Sequence, residues 1–218
     1  MKKIAVLFFA FLIFYQLSSQ EADKTKWTMR LDMMVPQPVS NKAFQLSFTG
    51  ICDVGASLNV RLGKLFNVGA QYRYKQFQVR GNKIADVYTL QHTHNACAKF
   101  SLDISTSKNT IFSPGIGLGY NWINYTYLPC SLLTPTGQYV TAINMEPQAA
   151  FVWMIDEGFG MGLMVNYNLL AYEFDPVSIC LSEHKSYSAK EMSGLTGSFS
   201  FGFSVFIDFA HRPEGFEE

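Results

Sequence analysis

The stretch from residue 195 to residue 209 alternates between two chemically different faces. Every second residue from Leu195 to Phe209 is apolar or glycine, and phenylalanine dominates that set. The positions between are Ser, Thr, Gly and Asp, with Phe206 as the exception. Successive side chains of a strand point to opposite faces, so the pattern predicts a long strand between two different media. A soluble sheet would carry Lys and Glu on its polar face, whereas small polar residues favour a crowded barrel interior and a lipid-facing exterior.

Seven further segments show the same period of two. In each, apolar residues alternate with small polar, amide or charged residues. The pattern predicts an all-β fold, an eight-stranded antiparallel transmembrane β-barrel built as an up-and-down meander. The eight predicted strands span residues 27–35, 43–62, 66–79, 87–104, 110–127, 139–154, 159–172 and 195–209.

The predicted connections alternate in length, which is typical of outer-membrane barrels. Short turns face the periplasm and longer loops face outward, and an even number of strands places both termini in the periplasm. Pro114 and Pro147 fall inside predicted strands and cannot donate to a ladder, so we expect bulges or displaced strand starts there. The tight turns are 63–65, 105–109 and 156–158, and the longer, more polar or turn-rich loops are 37–42, 80–86, 128–138 and 175–191.

Outward-facing aromatic residues gather near both ends of the predicted strands. Amphipathic rings prefer the membrane–water interface, so two aromatic belts are expected of a barrel in a bilayer. The alternative is that these rings form the core of a soluble β-sandwich. The belt near the tight turns contains Trp27, Phe66, Phe112, Trp153, Phe159 and Phe209, and the belt near the loops contains Phe44, Tyr74, Tyr120, Trp122 and Tyr167.

The first residues have the pattern of a cleaved secretory signal. A basic start at residues 1–3 precedes an apolar run at 4–17, and small residues then offer a cleavage site before Gln20. We therefore predict a signal peptide at 1–19, the barrel domain at 20–209 and a polar periplasmic tail at 210–218. Charged residues are only 16% of the chain and aromatic residues 15%, against roughly 25% charged residues in ordinary soluble domains. Without Lys2 and Lys3, 15 basic residues face 17 acidic ones, which gives no basic surface for nucleic acid.

Three segments resemble the small eight-stranded outer-membrane β-barrel family, of OmpA- and OmpX-like architecture. They are residues 69–74, the inward glycines Gly115, Gly117 and Gly119, and the closing residues 201–209. The closing segment also resembles the signal read by the barrel-assembly machinery, although the polar tail follows it. The resemblance covers residues 27–209 and implies a Gram-negative outer-membrane location and contact with outer-membrane lipid, including lipopolysaccharide. It implies no single activity, because the family includes adhesins, stabilisers and lipid enzymes.

Ten charged residues fall on the predicted inward face, five of each sign. An eight-stranded barrel is just wide enough for side chains to fill its interior. Buried charges need partners, so the balance favours a self-neutralising plug over a gated ion path or internal ligand site. The ten residues are Arg30, Asp32, Asp53, Arg61, Arg73, Lys75, Lys99, Asp103, Glu146 and Asp208.

The histidines and cysteines offer few candidates for chemistry. His92 and His94 face outward near the outer end of the fourth strand, where lipid A deacylases of similar size use a His, a Ser and an acid. No Ser or carboxylate is evident beside them, so they are interpreted as interfacial residues. His184 and His211 form no metal site, and no motif calls for a cofactor. Cys52 faces out and Cys97 faces in, whereas Cys130 and Cys180 lie in neighbouring outer loops where a disulfide can form.

The sequence therefore favours a plugged outer-membrane barrel without catalytic residues. It would have a structural or interaction role, through its extracellular loops or lipid-facing surface. The longest loop offers His184, Lys185 and Tyr187 as a candidate contact surface. Expected partners are outer-membrane lipid or lipopolysaccharide, the barrel-assembly machinery during insertion, and an envelope protein. Two other hypotheses stay open: an outer-leaflet lipid-modifying enzyme using His92 or His94, and a narrow channel.

Overall fold

The computed structural model describes residues 27–63, 65–81, 84, 88–107, 109–126 and 138–209. The predicted signal peptide and periplasmic tail lie outside the described residues. Nine strands are present: β1 Trp27–Ser40, β2 Phe48–Leu62, β3 Phe66–Val79, β4 Leu90–Leu102, β5 Ile104–Ser107, β6 Thr110–Thr126, β7 Gln138–Asp156, β8 Phe159–Leu170 and β9 Thr196–Asp208.

All strand pairs are antiparallel, and the sheet closes on itself. Consecutive strands pair with each other apart from β4 and β5, β1 pairs with β9, and β4 pairs with β6. The short β5 continues β4 after a break at Asp103 and pairs with the same strand, β6. The nine strands are therefore eight barrel staves, which confirms the predicted eight-stranded meander.

The two ends of the barrel differ in structure. One end holds the short connections between β2 and β3, between β5 and β6, and between β7 and β8, and there the Phe209 N–H donates to the Trp27 carbonyl over 3.0 Å. The opposite end, called here the loop end, holds α1 Lys42–Ser47, a 3₁₀ turn Leu181–Glu183 and α2 Ala189–Met192. Among the described residues, no helix is both long and apolar enough to cross a bilayer.

The alternation of apolar and polar positions corresponds to the two faces of the wall. Outward residues are exposed although apolar, for example Met33 at 70% and Phe203 at 66%, while inward Ser, Asn and charged residues are buried. Along β9 the exposed and buried positions alternate from Ser198 to Ser204 as the sequence predicts. The exterior of the barrel is therefore apolar and its interior polar.

The segment before β2 departs from the prediction. Residues 43–47 belong to α1 and not to a strand, and β1 runs on to Ser40, so no loop spans 37–42. The Asn41 side chain accepts from the Phe44 N–H and starts the helix. A bulge between Gly50 and Cys52 then shifts the pairing of β2 with β3. Since a bulge adds one residue, Phe48 points inward and not outward as predicted.

The two prolines within strands interrupt pairing without shifting it. Pro114 lies opposite the break between β4 and β5, and the register before and after that break is the same. Pro147 falls where no pairs join β7 to β8, between Met145 and Gln148. The expected bulges at these prolines are therefore wrong. The missing N–H simply costs a ladder bond at each site.

Apolar residues close the interior at the loop end, in an arrangement called here the outer cap. Phe44 of α1 contacts Phe48, Phe77 and Phe174 with ring centroids 5.3 to 5.6 Å apart. The predicted placement of Phe44 in an outward belt is therefore wrong. The inward face of β3 and β6 changes from polar to apolar at this level, and the buried members are Ala43, Phe44, Phe48, Phe77, Val79, Ile84, Ile123, Tyr125, Ala142, Leu170, Phe174, Ile179 and Leu181.

Asn41 holds α1 against the long loop and provides a test of the outer cap. Its side-chain amide donates to the carbonyls of Met192 and Gly194, at 2.9 and 3.0 Å, while its backbone has a positive φ of 58°. Asn41→Gly removes these bonds but tolerates the φ, whereas Asn41→Ala removes the bonds and adds strain. We expect amide hydrogen exchange of α1 to be faster in both variants than in wild type. In Asn41→Ala the free energy of local opening should fall by about a further 1 kcal/mol. Equal exchange in Asn41→Ala and wild type would contradict the role of Asn41.

Candidate functional site

The ten charged side chains predicted to face inward lie inside the barrel or at its rim. Nine are buried, and Arg61, near the tight turns, is the tenth, with 20% of its side chain exposed. Arg73 is the largest fully buried side chain, at 0% exposure. The strands that carry these residues place them at alternate inward positions, so the network follows directly from the period of two.

Arg73 is the centre of the network. Its three guanidinium nitrogens each meet a different carboxylate: Asp32 at 2.9 Å, Asp53 at 3.0 Å and Glu146 at 2.8 Å. Arg30 adds a second cation 3.4 Å from Asp32. Because these carboxylates come from β1, β2 and β7, one side chain of β3 links four strands across the bore. Arginine suits this role, since its planar fork of donors is always charged.

Glu146 receives more hydrogen bonds than any other side chain in the network. It also forms ion pairs with Arg73 and with Lys75, whose ammonium lies 3.9 Å from its carboxylate and 3.5 Å from that of Asp53. A buried carboxylate needs such saturation to offset the loss of hydration. Four buried amides complete its shell at 2.7 to 3.0 Å, those of Gln71, Asn95, Asn166 and Asn168.

The network ends in an ion-pair cluster near the tight turns. Arg61 lies 3.3 Å from Asp103 and 3.7 Å from Asp208, and so joins three barrel staves. Lys99 lies between this cluster and Arg73, donates to the Ser57 hydroxyl at 3.0 Å, and has no carboxylate within 4.0 Å among the described residues. A second apolar cluster lies inside the barrel and contains Met34, Ala150, Val152, Met164 and Phe206.

The interior is therefore occupied at successive levels by the outer cap, the charge network and the ion-pair cluster near the tight turns. Between the outer cap and the network is a cavity of only about 10 Å³, lined by Phe44, Lys75, Phe77 and polar neighbours. That volume is close to the minimum for one water molecule. This packing supports a plug and leaves little room for a ligand.

The candidate loop surface lies on the outer cap. His184 is exposed, the Lys185 ammonium sits 5.5 Å from the centre of the Tyr187 ring, and the Tyr187 hydroxyl bonds to the Ser47 hydroxyl at 2.8 Å. At the start of α2, hydrogen bonds from the Ser188 backbone and side chain hold the pKa of Glu191 below its ordinary value. This capping interaction is present above that pKa and is lost as the pH falls through it.

The cysteines fall into two groups. Cys52 and Cys97 are free thiols, and Cys97 is buried beside Asn95 and Asn144. Cys180 is disulfide-bonded. Cys130 lies outside the described residues, so the predicted Cys130–Cys180 pairing stays a prediction, supported by the fact that the chain has four cysteines and two are free.

His92 and His94 face outward near the loop end, each paired with a tyrosine of β3. The Tyr74 hydroxyl lies 2.7 Å from His92 Nδ1, and the Tyr72 hydroxyl lies 2.7 Å from His94 Nδ1. His92 Nε2 reaches the Thr126 hydroxyl at 3.2 Å. Both histidines therefore have hydroxyl partners, and the contacts of the described residues give neither of them the Ser and acid of a hydrolase. Among all the residues that the structure describes, no group of three or more His, Cys, Asp or Glu side chains could hold a metal ion.

Comparison with solved structures places this geometry among known barrels. No protein-family model and no curated protein matches the chain. Neisserial surface protein A matches with a TM-score of 0.52 and 11% identity, over 84% of this chain and 97% of that one. The chain has the fold of the small outer-membrane β-barrels.

Two other matches are more distant. Ail, the attachment invasion locus protein of Yersinia pestis, was solved with the heparin analogue sucrose octasulfate, and it matches with a TM-score of 0.48 and 5% identity, over 86% of this chain and all of that one. The Escherichia coli outer-membrane protease OmpT matches with a TM-score of 0.43 and 6% identity, over 88% of this chain and all of that one. At these identities and TM-scores the two likenesses carry no statement about the activity of this chain.

Sequence reasoning missed two groups of residues in this barrel. The outer cap gives little signal within one strand, because its inward residues Phe77, Val79, Ile123 and Tyr125 lie on two separate strands, β3 and β6. The tyrosine partners of the histidines were missed although strand pairing predicts them: Tyr74 stands directly opposite His94, and Tyr72 is two residues earlier on the same face. The available signal was the repeated Tyr-x-Tyr and His-x-His on adjacent strands.

Replacing Glu146 tests the buried network. Glu146→Leu leaves Arg73 and Lys75 short of a counter-ion and four amides without their acceptor. We expect a loss of about 3–5 kcal/mol in the free energy of unfolding, measured by urea titration of the barrel in lipid vesicles. Glu146→Gln keeps the volume but places an NH₂ group among donors, so it should also destabilise. The exposed Glu157 in the β7–β8 turn supplies the control, and a Glu146→Leu barrel as stable as Glu157→Leu would rule out a buried network.

Proposed function

We propose that the mature protein is an outer-membrane barrel with a plugged interior, and that it acts as a structural and interaction protein through its extracellular loops. The observation that carries this proposal is the complete burial of Arg73 among three carboxylates drawn from three other strands. A bore crossed by such a network is a structural core and not a passage. A steady single-channel conductance in planar bilayers would favour the channel hypothesis instead.

The membrane placement rests on the outer wall and on the chain ends. Large apolar residues cover the exterior, and in water so much exposed apolar surface would cause association. Aromatic residues are exposed near both barrel ends, as in an interfacial belt. The predicted signal peptide and the pattern of the closing strand support the proposal of export and of insertion by the barrel-assembly machinery. In this orientation both termini are periplasmic and the loop end is extracellular.

The loop end carries the proposed interaction surface. The connection from β8 to β9 spans residues 171–195, which is far more than a hairpin needs. It is tied down by Asn41, by the bond between Ser47 and Tyr187, and by the disulfide at Cys180. An ordered loop pays less conformational entropy on binding than a mobile one. Its exposed residues include His184 and Val177, and an envelope protein is the proposed partner.

The membrane placement predicts heat-modifiable mobility. A folded transmembrane barrel resists detergent at room temperature, so unboiled protein from isolated outer membranes should migrate differently from boiled protein on a gel. The physical reason is that every backbone polar group is satisfied within the closed barrel. Identical migration of the two samples, or recovery of the protein in the soluble periplasmic fraction, would overturn the placement.

The interaction surface predicts site-specific crosslinking at the loop end. A photo-reactive residue placed at His184 in intact cells should give a discrete crosslinked product, because this side chain is exposed on an ordered loop. The same residue at Glu157, exposed at the opposite end, is the matched control. Replacing residues 182–187 with an Asn-Gly turn should leave heat-modifiable mobility intact. The protein identified in the crosslinked product should no longer bind to this variant. Identical products from both positions would contradict the assignment to the loops.

A further inference from the structure

The outer wall formed by β2, β3, β4 and β6 carries a polar aromatic lattice that the plug and the loops do not use. Tyr72 and Tyr74 of β3 alternate with His94 and His92 of β4 in two hydroxyl–imidazole pairs. The Tyr74 ring lies against both imidazoles, with centroids 5.2 Å from His94 and 6.1 Å from His92. The cross-strand neighbour of His94 on β6 is Trp122. The four side chains therefore form one rigid patch near the loop end.

One imidazole of this lattice has a free donor. A neutral imidazole whose Nδ1 accepts a hydrogen bond from a tyrosine hydroxyl carries its own proton at Nε2, and we assign this tautomer to both histidines from their tyrosine contacts. For His92 that N–H is directed to Thr126. For His94 the described residues supply no partner at Nε2. A single N–H donor is therefore left on an outward-facing ring, and no carboxylate stands on the outward face of the described parts of these strands to repel an anion.

An apolar groove begins at the same tyrosine and runs away from the loop end. It has a volume of about 550 Å³ and is bordered by Tyr72, Leu58 and Met29, with Ala56, Ala70 and Ala96 as its floor. The pairing explains the shape: Ala56 and Ala96 flank Tyr72 in one row, and Ala70 lies beside Leu58 in the next. Tyr72 thus belongs to both the lattice and the groove.

We propose that this wall binds one phosphorylated, acylated lipid of the outer leaflet. Its phosphate accepts from His94 Nε2, and one acyl chain lies in the alanine-floored groove below Tyr72. The inference rests on the proposed membrane placement and adds a specific lipid to it. The order of the features supports this occupant, because the polar group lies on the loop side of the apolar groove, as the headgroup does above its chains in that leaflet.

A second copy of the chain fits this wall less well. Tyr72 and Tyr120 are 50% and 54% exposed on either side of Ala96. These rings stand above the alanine floor and keep a rigid second barrel from close contact with it. A flexible acyl chain can follow the floor between them.

The test uses folded protein in a neutral detergent, titrated with dilauroyl phosphatidic acid or dilauroylglycerol and examined by native mass spectrometry. The two lipids share their chains and differ in the phosphate. Wild-type protein should retain one phosphatidic acid per barrel, about tenfold more than diacylglycerol, as expected for a hydrogen bond to a charged group. His94→Phe should reduce phosphatidic acid to the diacylglycerol level, and Ala96→Leu, which fills the groove, should reduce both adducts.

Matched variants separate this site from general lipid contact. Tyr139→Phe alters an exposed ring of β7, and Ala149→Leu enlarges an outward alanine of the same strand, so both should bind as wild type. Equal adducts with the two lipids, or no loss in Ala96→Leu, would overturn the proposal, as would a dimer that Ala96→Leu dissociates. All variants should keep the heat-modifiable shift. A wild type that keeps this shift but retains no lipid refutes the lipid site alone, whereas a missing shift refutes the membrane placement.

Discussion

The interaction on which the rest of the barrel depends is the contact of Arg73 with Asp32, Asp53 and Glu146. A guanidinium in a dry interior is unfavourable unless its charge is compensated, and here three carboxylates from three strands lie within 3.0 Å of its nitrogens. The contact fixes the relative position of opposite sides of the wall, because β3 and β7 are not neighbours in the sheet. Each stave must hold its register for the network to form, so the plug specifies the barrel as well as filling it.

The layers around the network explain how these charges can be buried. The outer cap excludes water from the loop end, and Arg61 with Asp103 and Asp208 closes part of the opposite end. Excluding water lowers the local dielectric constant, which strengthens satisfied pairs and penalises unsatisfied ones. The amide shell of Glu146 is therefore as necessary as its two cations. A polar interior of this kind specifies one strand register. It leaves little room to bind or conduct a solute, because side chains occupy the space that a solute would need.

The sequence predicted the wall well because its signal has a period of two over long segments. It failed at α1 because Phe44 and Phe48 are four residues apart, a spacing that keeps two side chains on one face of either a strand or a helix. The bulge at Gly50–Cys52 was hidden for a related reason, since one extra residue reverses the faces without breaking the alternation. The inward orientation of the ten charged residues could be predicted from their alternate positions along each strand. The contact of Arg73 with Glu146, 73 residues later, depends on barrel closure. No local pattern encodes that distance.

The division between interior and exterior indicates where this protein's activity can lie. The inward residues are committed to each other, and a substitution there changes stability before it changes anything else. The outward residues are free of that constraint, yet they are unevenly distributed: β9 presents Phe199, Phe201 and Phe203, while β2, β3 and β4 present alanines beside a tyrosine–histidine lattice. A wall selected only for solubility in lipid could be uniformly large and apolar. The combination of a tyrosine–histidine lattice with a row of alanines on β2, β3 and β4 needs a further cause, and a bound molecule with a polar head and a narrow chain supplies one.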